Sequence, residues 1–208
     1  MTLNEIAKKM CARGKGILAA DESTGTIAKR FNSINVENTE VNRLAFREAL
    51  FKSEAIKNYI GGIILFDETI KQKTSSGLSV PELIVQNGSI PGIKVDKGAK
   101  VLSGSPEETV TEGLDGLRDR LKEYYKLGAR FTKWRAVIKI SNNYPTVQCI
   151  KSNSHALARY AAMVQECNMV PIVEPEVLMD GNHDIDKCFN VTQNVLNDCF
   201  EQLALHKV

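Results

Sequence analysis

The chain has 208 residues, 43% of them hydrophobic and 25% charged, which is enough to build one large core or two small ones. Its 27 basic and 25 acidic residues leave a net charge of +2, so no global field marks it for nucleic acid or for a membrane surface, and any basic function has to be local. No window approaches the roughly 18 apolar residues of a membrane-spanning helix, and the N-terminus has no apolar signal region, so a cytoplasmic protein is expected.

Thr2 and Glu5 form a capping-box pattern that predicts a first helix carrying Leu3, Ile6, Ala7 and Met10. Gly14-Lys15-Gly16 ends it, and Ile17 to Asp21 reads as a short buried strand finishing on a carboxylate. Thr39 caps a predicted helix of roughly twenty residues through Leu44, Ala45, Ala49, Leu50 and Ile56. Gly61 to Asp67 is a second strand, again ending in a carboxylate. The segment from Glu68 to Ile90 is long, with Ser75-Ser76-Gly77 at its tip and a short helix over Val80 to Val85. Connections of that length are usually functional or mobile.

Pro91 to Gly98 is a third strand. Ser105-Pro106-Glu107-Glu108 then offers an N-cap, a proline at the first helical position and a glutamate one turn in, which predicts a helix through Val110, Leu114, Leu117 and Leu121 that stops at Gly128. Phe131 to Ile140 is the fourth strand. Side chains alternate along a strand, so Phe131, Lys133, Arg135, Val137 and Lys139 share one face, while Thr132, Trp134, Ala136, Ile138 and Ile140 share an apolar one. Cations on an enclosed face need anionic partners or ligands. A helix over Asn153 to Met169, a fifth strand over Val170 to Glu176 and a helix over Ile185 to His206 complete the series.

Alternating strands and helices with near-continuous apolar strands predict an α/β fold with a parallel sheet under helices. The carboxyl ends of successive strands carry Asp21, Asp67, Lys94 with Asp96, Lys133 with Arg135, and Glu174 with Glu176. Such a rim is where the active sites of β/α barrels form. A doubly wound sheet would show a Gly-rich phosphate turn after its first strand; this chain has Asp21-Glu22-Ser23-Thr24-Gly25, so a barrel is favoured. Taken singly, each charged group has an ordinary explanation as a helix cap or solvated surface charge. Five strands depositing charge at the same end is better explained by a ligand.

Lys94, Arg135 and the hydroxyls of Ser23 and Thr26 suit a phosphate. Glu174 and Glu176, two residues apart on one strand face, can supply an acid and a base by displacing each other's pKa. A lysine among cations and dry walls could attack a carbonyl to form an imine. Together these point to carbon–carbon chemistry on a phosphorylated sugar. Five cysteines without C-x-x-C spacing fit reduced thiols, and three scattered histidines offer no metal frame, so neither a metal nor a cofactor is expected.

Gly14 to Gly25, Gly92 to Gly98, Lys133-Trp134-Arg135 and Pro171-Ile172-Val173-Glu174-Pro175-Glu176, followed by Asp180-Gly181-Asn182-His183-Asp184, resemble the class I, Schiff-base fructose-bisphosphate aldolases. Four motifs in order cover essentially the whole chain. The resemblance implies a (β/α)8 TIM barrel and reversible cleavage of fructose 1,6-bisphosphate to dihydroxyacetone phosphate and glyceraldehyde 3-phosphate without metal. By position, Glu174 resembles the main proton-transfer residue, Asp21 the group that handles the C4 hydroxyl, Lys133 a cation near the reacting carbons and Glu176 their electrostatic partner. Ser23, Thr26, Lys94 and Arg135, with Arg30 and Arg43, resemble phosphate and substrate contacts; Thr26 stands where serine is commoner. The implied partners are a phosphorylated ketose or triose substrate and further copies of the chain in a homotetramer, with no nucleic acid and no membrane.

In that family the imine-forming lysine lies on strand six in a Leu-Leu-Lys-Pro-Asn-Met type motif, which is absent here. A complete barrel takes roughly 250 residues and eight strands. The sequence therefore predicts a single aldolase-type domain over residues 1–208 with only about the first five β/α units, C-terminally incomplete and impaired alone. Two other readings stand beside it: a non-catalytic module that keeps a phosphosugar- or protein-binding surface, and a variant in which Lys133 itself makes the imine.

Overall fold

A computed structural model describes all 208 residues. The chain divides into two compact units: Met1–Lys94 with Leu121–Thr132 and Asn168–Val170, and Val95–Arg120 with Lys133–Cys167 and Pro171–Val208.

In the first unit, α1 (Leu3–Met10) starts at the expected capping box of Thr2 and Glu5 and buries Ile6 and Met10. Strand β1 (Gly16–Ala20) is followed by α2 (Thr24–Asn32), which has no counterpart in the sequence reading; Ser23 caps it by accepting from the Thr26 backbone. The long helix expected after Thr39 is two helices, α3 (Glu40–Phe51) and α4 (Glu54–Tyr59). Ser53 breaks the run because its hydroxyl caps α4 instead of continuing α3.

Strand β2 (Ile60–Leu65) leads to α5 (Asp67–Ile70), α6 (Val80–Gln86) and β3 (Ile90–Lys94). Strand β1 pairs in parallel with β2, and β2 with β3. A Cβ on Gly92 would lie inside the ring of Phe131, and one on Gly61 would strike the Met10 carbonyl, so these two strands need glycine where the ring and α1 come close. The segment between β2 and β3 is anchored: Glu48 on α3 accepts from the backbone and hydroxyl of Ser75 and pairs with Lys52.

In the second unit the helix predicted from Ser105 is absent up to Glu112. Strands β4 (Ala99–Leu102) and β5 (Ser105–Thr111) form an antiparallel hairpin there, and a helix begins only at α7 (Leu117–Lys126). The Ser105/Glu108 pair that resembles a cap does meet, at 2.8 Å, but Glu108 also accepts from the backbone and hydroxyl of Thr146, the residue that caps α8 (Val147–Glu166). Leu102 packs with Ile138, Cys149 and Val195, and Val110 joins them. A buried carboxylate and that core outweigh local helix signals.

Strand β6 (Phe131–Ile138) runs along the predicted stretch, with Trp134 fully buried against Tyr160 of α8 at 5.3 Å between rings. Strand β7 (Val170–Val177) and α9 (Ile185–Leu205) follow. One five-stranded sheet runs in the order β1, β2, β3, β6, β7. All five cysteines are free, and no helix is long and apolar enough to cross a membrane.

Glu48 gives the fold an acid-sensitive tie. Its hydrogen bonds with Lys52 and Ser75 hold its pKa down to about 2 against 4.5 for an ordinary glutamate. A depressed folded pKa adds stability above the unfolded value and loses it as pH falls towards the folded one. Glu48→Gln is therefore expected to cost about 1 kcal/mol or more at neutral pH, a size discounted for the exposed Lys52 partner. Urea denaturation of both proteins between pH 7 and pH 2 should show the difference closing from about pH 4.5 down to about 2.

Candidate active site

Within the first unit, the turn after β1 gathers most of the predicted group. Asp21 is buried, with 7% exposure, immediately beyond the strand. The Ser23 hydroxyl lies 3.1 Å from that of Thr26, so the two proposed phosphate contacts sit side by side at the start of α2. Arg30, one face along α2, forms an ion pair with Glu22. Arg43 on α3 grips Glu68 with two hydrogen bonds, at 2.8 and 2.6 Å, and donates to the carbonyl and side-chain oxygens of Asn38 at 3.0 Å. Glu68 is held below the usual carboxylate range by that grip, and Arg43 is raised by the same hydrogen bond. Lys94 is the last residue of β3 and is half-buried.

Sequence reasoning missed Arg47. One helical turn beyond Arg43, its side chain is entirely buried. Its Nη2 donates to the main-chain oxygen of Glu22 at 2.6 Å and its Nη1 to the Thr69 hydroxyl at 2.8 Å. The Glu22 and Glu68 carboxylates each lie 3.9 Å away, and the guanidinium stands over the ring of Phe66. Desolvation pulls its pKa down while those carboxylates push it up. Arg47 thus holds the Asp21-Glu22-Ser23 turn against the segment that follows β2. No sequence signal marked it: the expected apolar face of this helix ran through Leu44, Ala45, Ala49 and Leu50, and only the fold buries positions 43 and 47.

Within the second unit, strands β6 and β7 supply the other four candidates. Lys133, buried at 9% exposure, places Nζ 3.4 Å from Oε2 of Glu174. Two residues on along each strand, Arg135 donates to Glu176 in a close ion pair, and the Arg135 backbone amide donates to Asp96 at 3.4 Å. Arg135 is raised chiefly by its hydrogen bond to Glu176. Glu174 is raised above an ordinary carboxylate, as expected for a proton-transfer group, but burial is the main cause, Lys133 opposes it and Glu176 adds only a smaller push.

The family model for class I glycolytic fructose-bisphosphate aldolase matches residues 2–208, and the chain belongs to that family. A probable fructose-bisphosphate aldolase class 1 of Xylella fastidiosa is 59% identical over 201 residues, covering 97% of this chain and 60% of the relative. The cytosolic fructose-bisphosphate aldolase 4 of Arabidopsis thaliana is 59% identical over 195 residues, covering 94% and 50%. The fructose-bisphosphate aldolase of Plasmodium falciparum, solved in complex with TRAP and a small-molecule inhibitor, superposes with a TM-score of 0.94 at 49% identity and covers 97% of this chain and 58% of that one. The chain thus spans about 60% of the length of the curated bacterial relatives it matches. Its fold corresponds to the first five β/α units of the aldolase TIM barrel, in agreement with the sequence reading.

Removing Arg47 breaks its bonds to the Glu22 main-chain oxygen and the Thr69 hydroxyl and takes a fully buried cation from between Glu22 and Glu68, which keep only Arg30 and Arg43. Arg47→Met is expected to destabilise the protein by about 3 kcal/mol or more, measured by chemical denaturation. Removing Lys133 deletes the charge that lowers Glu174, so in Lys133→Met the Glu174 carboxyl should titrate at higher pH than in the parent. Carboxyl carbon NMR with selectively labelled glutamate would read this directly, and an unchanged or lower midpoint would contradict the assignment.

Proposed function

We propose that these residues form the proton-transfer and phosphate-holding part of an enzyme that reversibly cleaves fructose 1,6-bisphosphate to dihydroxyacetone phosphate and glyceraldehyde 3-phosphate. The observation that carries this reading is the Lys133–Glu174 pair, a fixed cation 3.4 Å from a carboxylate that burial has made a stronger base. A carboxyl group with a raised pKa both takes and returns a proton near neutral pH. Glu174 moves the proton at the carbon that breaks away, Lys133 stabilises negative charge developing on the substrate, and Asp21 handles the C4 hydroxyl. Arg135, held by Glu176, with Lys94, Ser23, Thr26, Arg30 and Arg43, binds the phosphates and sugar hydroxyls.

The covalent step in this reading is an imine between substrate and a lysine of the motif this sequence lacks. Lys133 stays in its electrostatic part, because its ammonium is already engaged with Glu174. The non-catalytic reading predicts phosphosugar binding without turnover. We further propose that residues 1–208 belong to one barrel domain, that the protein works in the cytoplasm, in keeping with the cytosolic Arabidopsis relative, and that it assembles as a homotetramer.

Cleavage is followed by coupling triose phosphate release to a dehydrogenase. Residues 1–208 alone should be inactive or impaired; in a complete version that carries the imine-forming lysine, Glu174→Gln should reduce kcat by about a hundredfold or more while substrate binding persists. Near-normal turnover in the variant would refute the role of Glu174. Binding without turnover in that complete version, with no adduct after borohydride reduction in the presence of dihydroxyacetone phosphate, would favour the binding module.

A further inference from the structure

The outer surface of the second unit carries a cavity of about 350 Å³ lined by Arg118, His155, Arg159, Met163, Glu166 and His206. None of these residues belongs to the candidate active site. Positions 155, 159, 162, 163 and 166 lie on the face of α8 turned away from Tyr160 and Trp134, with Arg118 from α7 on one side and His206, at the end of α9, on the other. The volume falls in the range of small-molecule sites.

Its polar groups are arranged for an anion. Arg159 has neither a hydrogen bond nor an ion pair, and it is exposed at the cavity. Arg118 pairs with Glu166 at 3.2 Å, both side chains more than half exposed, so this pair is weak and its guanidinium can turn to a stronger acceptor. The Nδ1 of His206 lies 2.8 Å from the main-chain oxygen of Gln202. A carbonyl oxygen only accepts, so that nitrogen carries the hydrogen. The Nδ1 of His155 lies 3.2 Å from the side-chain oxygen of the same Gln202, which fixes it in the same way. Both rings are therefore oriented from behind, their centroids 5.1 Å apart, and only Nε2 of each remains to gain a proton and become a donor. Two imidazoliums that close repel unless an anion sits with them. The two arginines disfavour a metal ion on the same nitrogens.

We propose that this cavity is a binding site for a small phosphorylated anion, with Arg118, Arg159 and the two Nε2–H groups holding the phosphate and Met163 with Ala162 receiving its apolar part. Binding takes up protons at the histidines and therefore strengthens as pH falls. The charged groups around the pair are Arg159 and Lys151 on α8, Asp198 on α9, which pairs with Lys151 at 2.8 Å, Lys207 beside His206, and Arg118 with Glu166.

The test is NMR of the His155 and His206 ring protons during titration of the whole protein with inorganic phosphate and, separately, with phenyl phosphate, at matched ionic strength against chloride. Both ring signals should shift saturably, more strongly at about pH 6 than at about pH 8. Arg159→Ala should weaken binding about tenfold. Phenyl phosphate should bind more tightly than phosphate. Lys133→Met, which removes a candidate active-site cation, should leave the ring shifts intact, so failure of the aldolase reading does not touch this one. Ring signals that follow phosphate no more than chloride, or that respond equally in Arg159→Ala, would overturn the proposal.

Discussion

A cation withdrawn from water must keep a carboxylate within reach, and in this chain that requirement governs how the strand ends are built. A parallel sheet delivers every strand's carboxyl end to the same edge, so charges placed there crowd together at the border of a dry core. Arg47 satisfies the rule by standing between Glu22 and Glu68, Arg43 by holding Glu68 and Lys133 by facing Glu174, while the more exposed Arg135 faces Glu176. Arg43 and Arg47 reach from α3 to residues just beyond β1 and β2, while Lys133 and Arg135 face glutamates of the neighbouring strand β7. The electrostatics of the site are therefore inseparable from the packing of the sheet that carries it.

The pairs differ in how much freedom they leave. Arg43 and Arg47 are committed on several sides, by carboxylates, main-chain oxygens and hydroxyls, and their task is to hold the turn after β1 and the segment after β2 in register. That suits Arg43 to shaping the pocket at least as well as to touching substrate. Lys133 and Glu174 make a longer, half-open contact between adjacent strands, which leaves both groups able to respond when charge or a proton moves nearby.

The strands were legible because their apolar runs are short and bounded by glycine or charge, and because residues such as Asp21, Lys94 and Glu174 mark their ends. The face alternation along Phe131 to Ile138 was equally plain, since a period of two leaves Trp134 and Lys133 on opposite sides. The segment from Ser105 was misread because its cap signals are genuine but serve another helix: Glu108 satisfies Thr146, thirty-eight residues away in sequence. Nothing local distinguishes a glutamate that caps its own helix from one that caps a distant one. Arg47 stayed hidden for the same reason, since an arginine on an amphipathic helix reads as surface until its partners Glu22 and Glu68 are brought in by the fold.

Glu174 and Glu176 show what the sequence alone could anticipate and what it could not. Two carboxylates two residues apart suggest mutual repulsion as the source of unequal acidity. In the structure burial is the main reason Glu174 is raised, and the push from Glu176 is smaller. The raised pKa of Glu174 therefore comes from solvent exclusion, and what moderates it is the ion pair with Lys133. It survives only while β6 keeps Lys133 and Arg135 in step with the matching pair of glutamates on β7. A slip of one residue between these strands would turn one strand's two side chains to the face opposite their partners. The register of two strands, with Trp134 and its apolar neighbours on the far side of the sheet, is thus what sets the ion pairs on the near side.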